Sequence, residues 1–545
     1  MFIKNLFNPF VKVAFLCFLS CSLFTRPICA GTFPLSPGPD LVVGIVVDKM
    51  RYDYITRMWN MFGDDGFKRL VTEGSTFNNL RYDYLINQSS PGYATIFTGA
   101  NPSSHGIIAD HWYDRGKNDI RSATVDQDAA AIGGSFVNGR RSPSGMLNST
   151  VGDELRKASN FKSRVYSVAM NDGAAVLSGG FSANAAWWFD DTNGLWMSSS
   201  FYLDSLPEWV TEFNSVRLPD TYLDRTWEPL LEASSYFGIN KGKDDQPFSY
   251  NFKRLSRRKE DYGLIRATPY SNTITKDFAI SLIINEKLGA GGHTDMLNIG
   301  FSATGEIDSQ YGTFSPELQD AYLRLDEDIA YFLDFLDRHY GKSQVLVFLT
   351  SDSAVSYPSS YNEYARIPGG TFSPAMAISL LRSYLNIFYG PGDWISHYNA
   401  GMIYLNHKFI EDNNIPFSEI QGRVSRFLNQ FTGIAGSVTD DVLSRNYFRD
   451  GISARIQAGY HPMRSGDVMI YLQQGWYERS FIDDQLKLIS YDQHVPLVFY
   501  GWNTENKSIN RKVSVTDIAP TISRLLNIPA PPFATGEPVM ELLGE

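Results

Sequence analysis

Two aspartates carry the first chemical signal. Asp48 closes the valine-rich run LVVGIVV at 41–47, and Asp352 follows a second apolar run, QVLVFLTS, at 344–351. A carboxylate at the carboxyl end of a buried strand can bind a cation or move a proton, because open α/β sheets collect their ligands at that edge. The plainer reading of both residues is a turn or capping carboxylate. With Asp110, Glu306 and Asp308 they would form a set of hard oxygen donors, suited to Mg²⁺ or Ca²⁺ more than to zinc. Softer donors are scarce. All three cysteines, Cys17, Cys21 and Cys29, lie in the first thirty residues, and the chain has eight histidines: His105, His111, His293, His339, His397, His407, His461 and His494.

The elements that must hold these groups follow from hydrophobic patterning. Besides 41–48 and 344–352, short apolar runs occur at 164–170 (RVYSVAM), 296–304 (MLNIGFSAT) and 495–501 (VPLVFYG). Continuous apolar runs of this length suit strands covered on both faces. Between them lie helical patterns such as 318–341, with apolar residues at three- and four-residue steps. The alternation predicts a doubly wound, mostly parallel sheet with helices on both sides. Two stretches interrupt it, near 185–275 and 365–465, and are expected to be insertions folding over the active edge.

The chain has 545 residues, 43% hydrophobic and 20% charged, which is ordinary for a globular protein. Its formal net charge of −11 gives no general attraction to nucleic acid. Lys4 and Lys12 precede the apolar stretch VAFLCFLSCSLF, and Ile28-Cys29-Ala30 offers small residues before Gly31. This reads as a signal peptide over residues 1–30, too short in its apolar part to span a bilayer. The expectation is an exported mature domain over 31–545, periplasmic or envelope-associated, without disulfide, thiolate ligand or later transmembrane segment.

Several segments together resemble the alkaline phosphatase superfamily. They include GIVVDKMRYDY (44–54), GFKRLVTEGSTFNN (66–79), SSPGYATIFTGANPSSHGI (89–107), WYDR (112–115), GYHPMRSGDVMIYL (459–472), YDQHVPLVFYG and VTDIAPTISRLLNIPAP (515–531). The nearest branch is the phosphate-insensitive bacterial phosphomonoesterases, related to the type I phosphodiesterases and nucleotide pyrophosphatases. The resemblance covers roughly residues 40–540 and implies a three-layer alkaline-phosphatase-like sandwich with cap insertions. It also implies phosphate-ester hydrolysis by a Ser or Thr nucleophile between two zinc ions.

Carried over by resemblance, the nucleophile position is Ser89, which retains a hydroxyl; on residue type alone it reads as a helix N-cap. Asp48 and Asp352 match second-site metal ligands. The remaining ligand positions are altered. The family's Asp-x-x-x-His pair falls on Gly305 and Ser309, the His after the second-site Asp is Ser353, and the late His aligns near Gln485. At substrate-handling positions, a Lys-Asp-Arg sequence reads Asn171-Asp172-Gly173, and an Asn reads Asp110. No histidine stands at any metal position.

The expectation is therefore a pseudophosphatase with a binding or assembly role, lacking the two-zinc centre and expecting no cofactor, with an envelope protein as its partner. The alternative is a phosphomonoesterase or phosphodiesterase that uses Ser89 with a single Mg²⁺ or Ca²⁺. The tryptophan-rich stretch (Trp187, Trp188, Trp196, Trp209) reads as core in preference to a binding surface.

Overall fold

Strand β1 (Leu41–Val47) shows why the main sheet forms. Leu41, Val43, Ile45 and Val47 pack into one hydrophobic cluster, while Val42 and Val46 pack into another on the opposite face. A strand with two buried faces needs helices on both sides, and the chain supplies them. The computed structural model describes residues 38–237, 248–256, 262–357, 366–478 and 493–543. The expected signal peptide and the Gln485 position lie outside these.

The other principal strands are β2 (Ser75–Arg81), β3 (Val165–Ala169), β4 (Ala185–Asp190), β5 (Asp295–Phe301), β6 (Val345–Thr350) and β7 (His494–Gly501). Their spatial order is β2-β7-β6-β1-β5-β3-β4, within an 11-stranded sheet. β1 pairs in parallel with both β5 and β6, and β5–β3 and β3–β4 are also parallel. β7 runs antiparallel to β6 and to β2. The mostly parallel sandwich read from the sequence is the fold.

Four helices matter for the site: α1 (Ser89–Thr98), α2 (Asp172–Gly179), α3 (Ala303–Tyr311) and α4 (Pro316–Tyr340). Residues of α1 and α2 pack into the cluster holding Val42 and Val46, and residues of α3 and α4 into the one holding Val43 and Ile45. This completes three layers.

The aromatic stretch expected to open an insertion near 185 instead continues the main sheet. Ala185–Asp190 is buried throughout and pairs with β3, and Leu195–Ser199 pairs with it in turn. Trp187, Trp188 and Trp196 are core side chains. The chain leaves the sheet only after Ser199. Further on, a separate four-stranded sheet (Ile395–Asn399, Met402–Leu405, Val468–Leu472, Ile434–Thr439) has its own hydrophobic cluster.

Candidate functional site

The parallel strands β1, β5 and β6 end on the same side of the sheet and set the site there. Asp48 follows β1, Ser302 and helix α3 follow β5, and Asp352 follows β6. Asp48 is anchored through its backbone. Its N–H donates to Phe301 O at 3.0 Å, and its carbonyl accepts the Thr304 hydroxyl at 2.6 Å. Tyr93 Oη donates to Asp48 Oδ1 at 2.7 Å. Asp352 Oδ1 accepts from the Lys49 backbone N–H at 2.8 Å and from Ser353 Oγ at 2.9 Å.

Both carboxyls are buried and both are pushed above the usual carboxylate range. Loss of hydration is the main cause for each. For Asp48 the negative charge of Asp352 comes next, opposed by the Tyr93 hydrogen bond. For Asp352 the Lys49 amide and the nearby Ser89 and Ser353 hydroxyls oppose the rise. Burial thus disfavours the charged form of both acids, and the Asp352 charge adds to this at Asp48.

Helix α1 brings the hydroxyl candidate to this pair. Gly92 makes the approach possible: a Cβ at that position would stand 1.7 Å from the Asp352 carbonyl oxygen, so only glycine lets the helix lie against that backbone. Ser89 is the first residue of α1; the N-cap position is Gln88, in extended conformation. The capping reading of Ser89 is thereby corrected, because the chain turns into the helix one residue earlier. Ser89 Oγ and Asp352 Oδ2 are buried and make no hydrogen bond of good geometry, although the Ser89 hydroxyl lies near enough to Asp352 to lower its pKa. These two oxygens are available to a cation or a substrate.

The positions that the resemblance assigns to substrate handling have local structural partners. Asp110 Oδ1 accepts the Ser90 backbone N–H at 2.8 Å, and the Asp110 N–H donates to Gln88 Oε1 at 2.8 Å. The carboxylate therefore sits on an amide at the start of α1, where a helix would otherwise present N–H groups to an anion. Asn171 caps α2, its side chain accepting the Gly173 N–H at 2.8 Å. A Cβ on Gly173 would lie 3.0 Å from Ser90 Oγ, which puts the two helix starts side by side. Asp172 is bound by Thr124 Oγ1 and Arg141 Nε, each at 2.6 Å.

On α3 the sequence positions of interest are one turn apart on one face. Gly305 offers no side chain, and the Ser309 hydroxyl donates to the Gly305 carbonyl at 2.9 Å. Lys49, which sequence reasoning passed over, reaches this face. Its Nζ donates to Ser309 Oγ at 2.6 Å and stands 3.8 Å from Asp308 Oδ2. Burial raises the Asp308 carboxyl, and the Lys49 cation, the Thr313 hydroxyl and then the Arg51 cation oppose the rise. Asp308 Oδ1 makes no hydrogen bond of good geometry. The only sequence signal for Lys49 was its place beside Asp48.

The five carboxylates proposed as a hard-metal cluster do not form one. Among the described residues no group of three or more His, Cys, Asp and Glu side chains is arranged to hold a metal ion. Asp110 is held at the α1 amide and Asp308 at the Lys49 ammonium. Asp48, Asp352 and the Ser89 hydroxyl remain together, with the Glu306 charge also acting on Asp48. The described residues do not fit a pair of zinc ions, which needs about three N or O ligands for each metal. His494 is stacked on Tyr52 and bonded to the Asn78 carbonyl.

The sequence model for "Type I phosphodiesterase / nucleotide pyrophosphatase" matches residues 42–491. The chain is 32% identical over 523 residues to alkaline phosphatase PafA of Elizabethkingia meningoseptica, covering 93% of this chain and 95% of that protein. It is 33% identical over 516 residues to alkaline phosphatase PhoV of Synechococcus elongatus, covering 93% of each. The crystal structure of wild-type PafA is similar with a TM-score of 0.87 at 31% identity, over 93% of this chain and 99% of that one.

Proposed function

The chain belongs to the type I phosphodiesterase / nucleotide pyrophosphatase family of the alkaline phosphatase superfamily, and from that premise we propose that it is a pseudophosphatase. It keeps the fold and the cleft of a phosphoesterase and serves as an exported binding or assembly protein. One observation carries this reading: the Asp110 carboxylate accepts the Ser90 amide at the start of the nucleophile helix. Phosphoryl transfer depends on preorganised positive charge and donors around the transferring group. An anion fixed on that helix terminus opposes the arrival of a phosphate ester. The loss of cationic side chains at Asn171 and Gly173 acts in the same direction, since charge-assisted contacts to phosphate oxygens are among the strong ones.

A second reading has its own support. The unpartnered Ser89 Oγ and Asp352 Oδ2, beside Asp48, are three-residue chemistry of the kind a single hard cation would join. On that reading Ser89 is the nucleophile, Asp48 and Asp352 hold the ion, and the activity is a phosphomonoesterase or phosphodiesterase. When bound, such an ion would supply positive charge at the phosphoryl oxygens.

The deciding experiment is an assay of the purified chain on p-nitrophenyl phosphate and bis-p-nitrophenyl phosphate with Zn²⁺, Mg²⁺ or Ca²⁺. The pseudophosphatase reading expects no rate above the Ser89→Ala variant. Turnover that Ser89→Ala abolishes would overturn it in favour of the second reading. An envelope partner is tested by cross-linking in intact cells followed by affinity isolation, and export by fractionation.

A further inference from the structure

We infer that Phe161, Phe181 and Phe201 form a membrane-contacting surface at the edge of the main sheet remote from the cleft, and that the surface of an anionic bilayer is what they meet.

Topology brings the three rings together. β3 runs parallel to β5, and β4 parallel to β3, so both begin at the edge opposite the one that carries Asp48 and Asp352. The strand Leu195–Ser199 is antiparallel to β4 and ends at that same remote edge. These three strands are neighbours, about 4.8 Å from one to the next. Phe161 lies four residues before β3, Phe181 four before β4, and Phe201 two after Ser199. Local contacts join the loops. The Arg156 guanidinium lies over the Phe161 ring, 5.5 Å from its centroid, and donates to the Ser182 carbonyl beside Phe181. The Tyr202 hydroxyl donates to the Gly180 carbonyl at 3.0 Å, and its ring meets Phe201 edge to face at 4.9 Å.

The rings are 58%, 39% and 40% exposed, and the first is held out at a conformational cost. After the helix Val151–Ala158 the chain passes through Asn160 and Phe161 with φ of 53° and 62°. Asparagine tolerates the left-handed region, whereas a phenylalanine there crowds its Cβ against the carbonyl oxygen. Burying the ring would offset that strain, yet this ring is more than half in solvent. Strain kept without burial points to what the ring meets outside the chain.

The size of the patch selects the partner. Together the rings expose roughly 300 Å², whereas a stable protein interface takes about 800 Å² from each side. Apolar side chains entering a bilayer's headgroup boundary need no such area, because attraction between cations and anionic lipid adds to their burial. Arg156, Lys157 and Lys162 supply the cations beside Phe161. Lys157 is paired with Glu154 at 2.7 Å; Lys162 is exposed and has no ion pair among the described residues. The exposed acids Asp204 and Asp128 lie on the Phe201 side, Asp128 two residues before the Ala130 amide that bonds Ser200. The attraction is therefore centred on Phe161.

The test is co-sedimentation of the purified full chain with vesicles of phosphatidylethanolamine and phosphatidylglycerol in equal parts, compared with phosphatidylcholine alone. Wild type is expected to partition onto the anionic vesicles. Phe161→Asn, which suits the left-handed backbone, is expected to bind about tenfold more weakly for the loss of one ring, with Tm unchanged or higher. A ring that only packs on Arg156 would do the reverse, lowering Tm when lost and leaving partition unchanged. Lys162→Glu is expected to weaken binding to the anionic vesicles alone. Phe136→Ser is the control: it removes a ring that is 67% exposed in the loop bonded to Asp190, at the cleft end of β4, and should bind as wild type does. Wild type that stays in the supernatant would overturn the inference and leave the patch to a protein partner. Equal partition by wild type and Phe161→Asn would overturn it too, as would an equal loss in Phe136→Ser. The cleft lies at the other edge, so the phosphatase assay succeeds or fails without moving these measurements.

Discussion

Tyr93 Oη lies 2.7 Å from Asp48 Oδ1 and so ties the helix that begins at Ser89 to the end of the central strand. Both partners are buried. A hydrogen bond to a buried carboxyl contributes about 1–2 kcal/mol net, because its loss leaves an acceptor unsatisfied. Tyr93→Phe is expected to lower the unfolding free energy by that amount, measured by urea titration at pH 7. An unchanged midpoint would show that Asp48 finds another donor.

Gly92 provides the strictest steric test. Its missing side chain faces the Asp352 carbonyl at a separation no Cβ can adopt, and main chain cannot rotate away as a side chain can. Gly92→Ala is expected to cost about 3 kcal/mol, the upper range for overpacking, and to lower Tm by several degrees. Wild-type Tm in this variant would mean that α1 is free to shift relative to β6.

Asp110→Asn should reverse part of the electrostatic barrier. The amide oxygen can still accept from the Ser90 N–H, while the negative charge is gone. Removing about 1 kcal/mol of repulsion corresponds to roughly fivefold tighter binding of inorganic phosphate. Titration followed by ³¹P NMR reads the difference, and equal affinities would show that the carboxylate is not what repels the anion.

His105 sets a pH dependence. It is fully buried, its Nδ1 accepts the Ile107 N–H at 3.1 Å, and its Nε2 lies 3.0 Å from the Thr95 hydroxyl. Burial, then the charge of Arg464, lowers its pKa from 6.5 to about 3. Because the folded value is depressed, its stabilising contribution is complete above pH 6.5 and is lost as pH falls toward 3. Between pH 7 and 4.5 the loss from this one group is about 2–3 kcal/mol. His105→Gln, which can keep both hydrogen bonds, should show a correspondingly smaller decline over that window in urea melts. Parallel declines would assign the acid sensitivity to other groups.

The strand framework was legible because buried parallel strands leave a simple trace. LVVGIVV and VLVFLT contain almost no polar residue, and both lie where the runs predicted. The Trp-rich segment misled because a strand buried on both faces and an aromatic insertion core have the same composition; only its pairing with β3 separates them. Within the site, the positions of Asp48, Asp352 and Ser89 followed from resemblance, yet their partners did not. That Asp110 caps the Ser89 helix, and that Lys49 lies along Gly305 and Ser309, depends on contacts between residues 20 and about 260 positions apart. Sequence spacing says nothing about such pairs, and a lysine after an aspartate looks like any surface turn.

The small four-stranded sheet has a hydrophobic cluster of its own, built from Trp394, Ile403, Leu405, Val468 and their neighbours, and distinct from the clusters on the two faces of the main sheet. Met402, Tyr404 and Met469 of the same strands join a main-sheet cluster, so only changes on the side of the private cluster and its outer loops come at little cost to the larger body. On the proposed pseudophosphatase reading, in which the cleft no longer constrains its surroundings through chemistry, this is the part of the molecule where selection for new recognition has the most freedom.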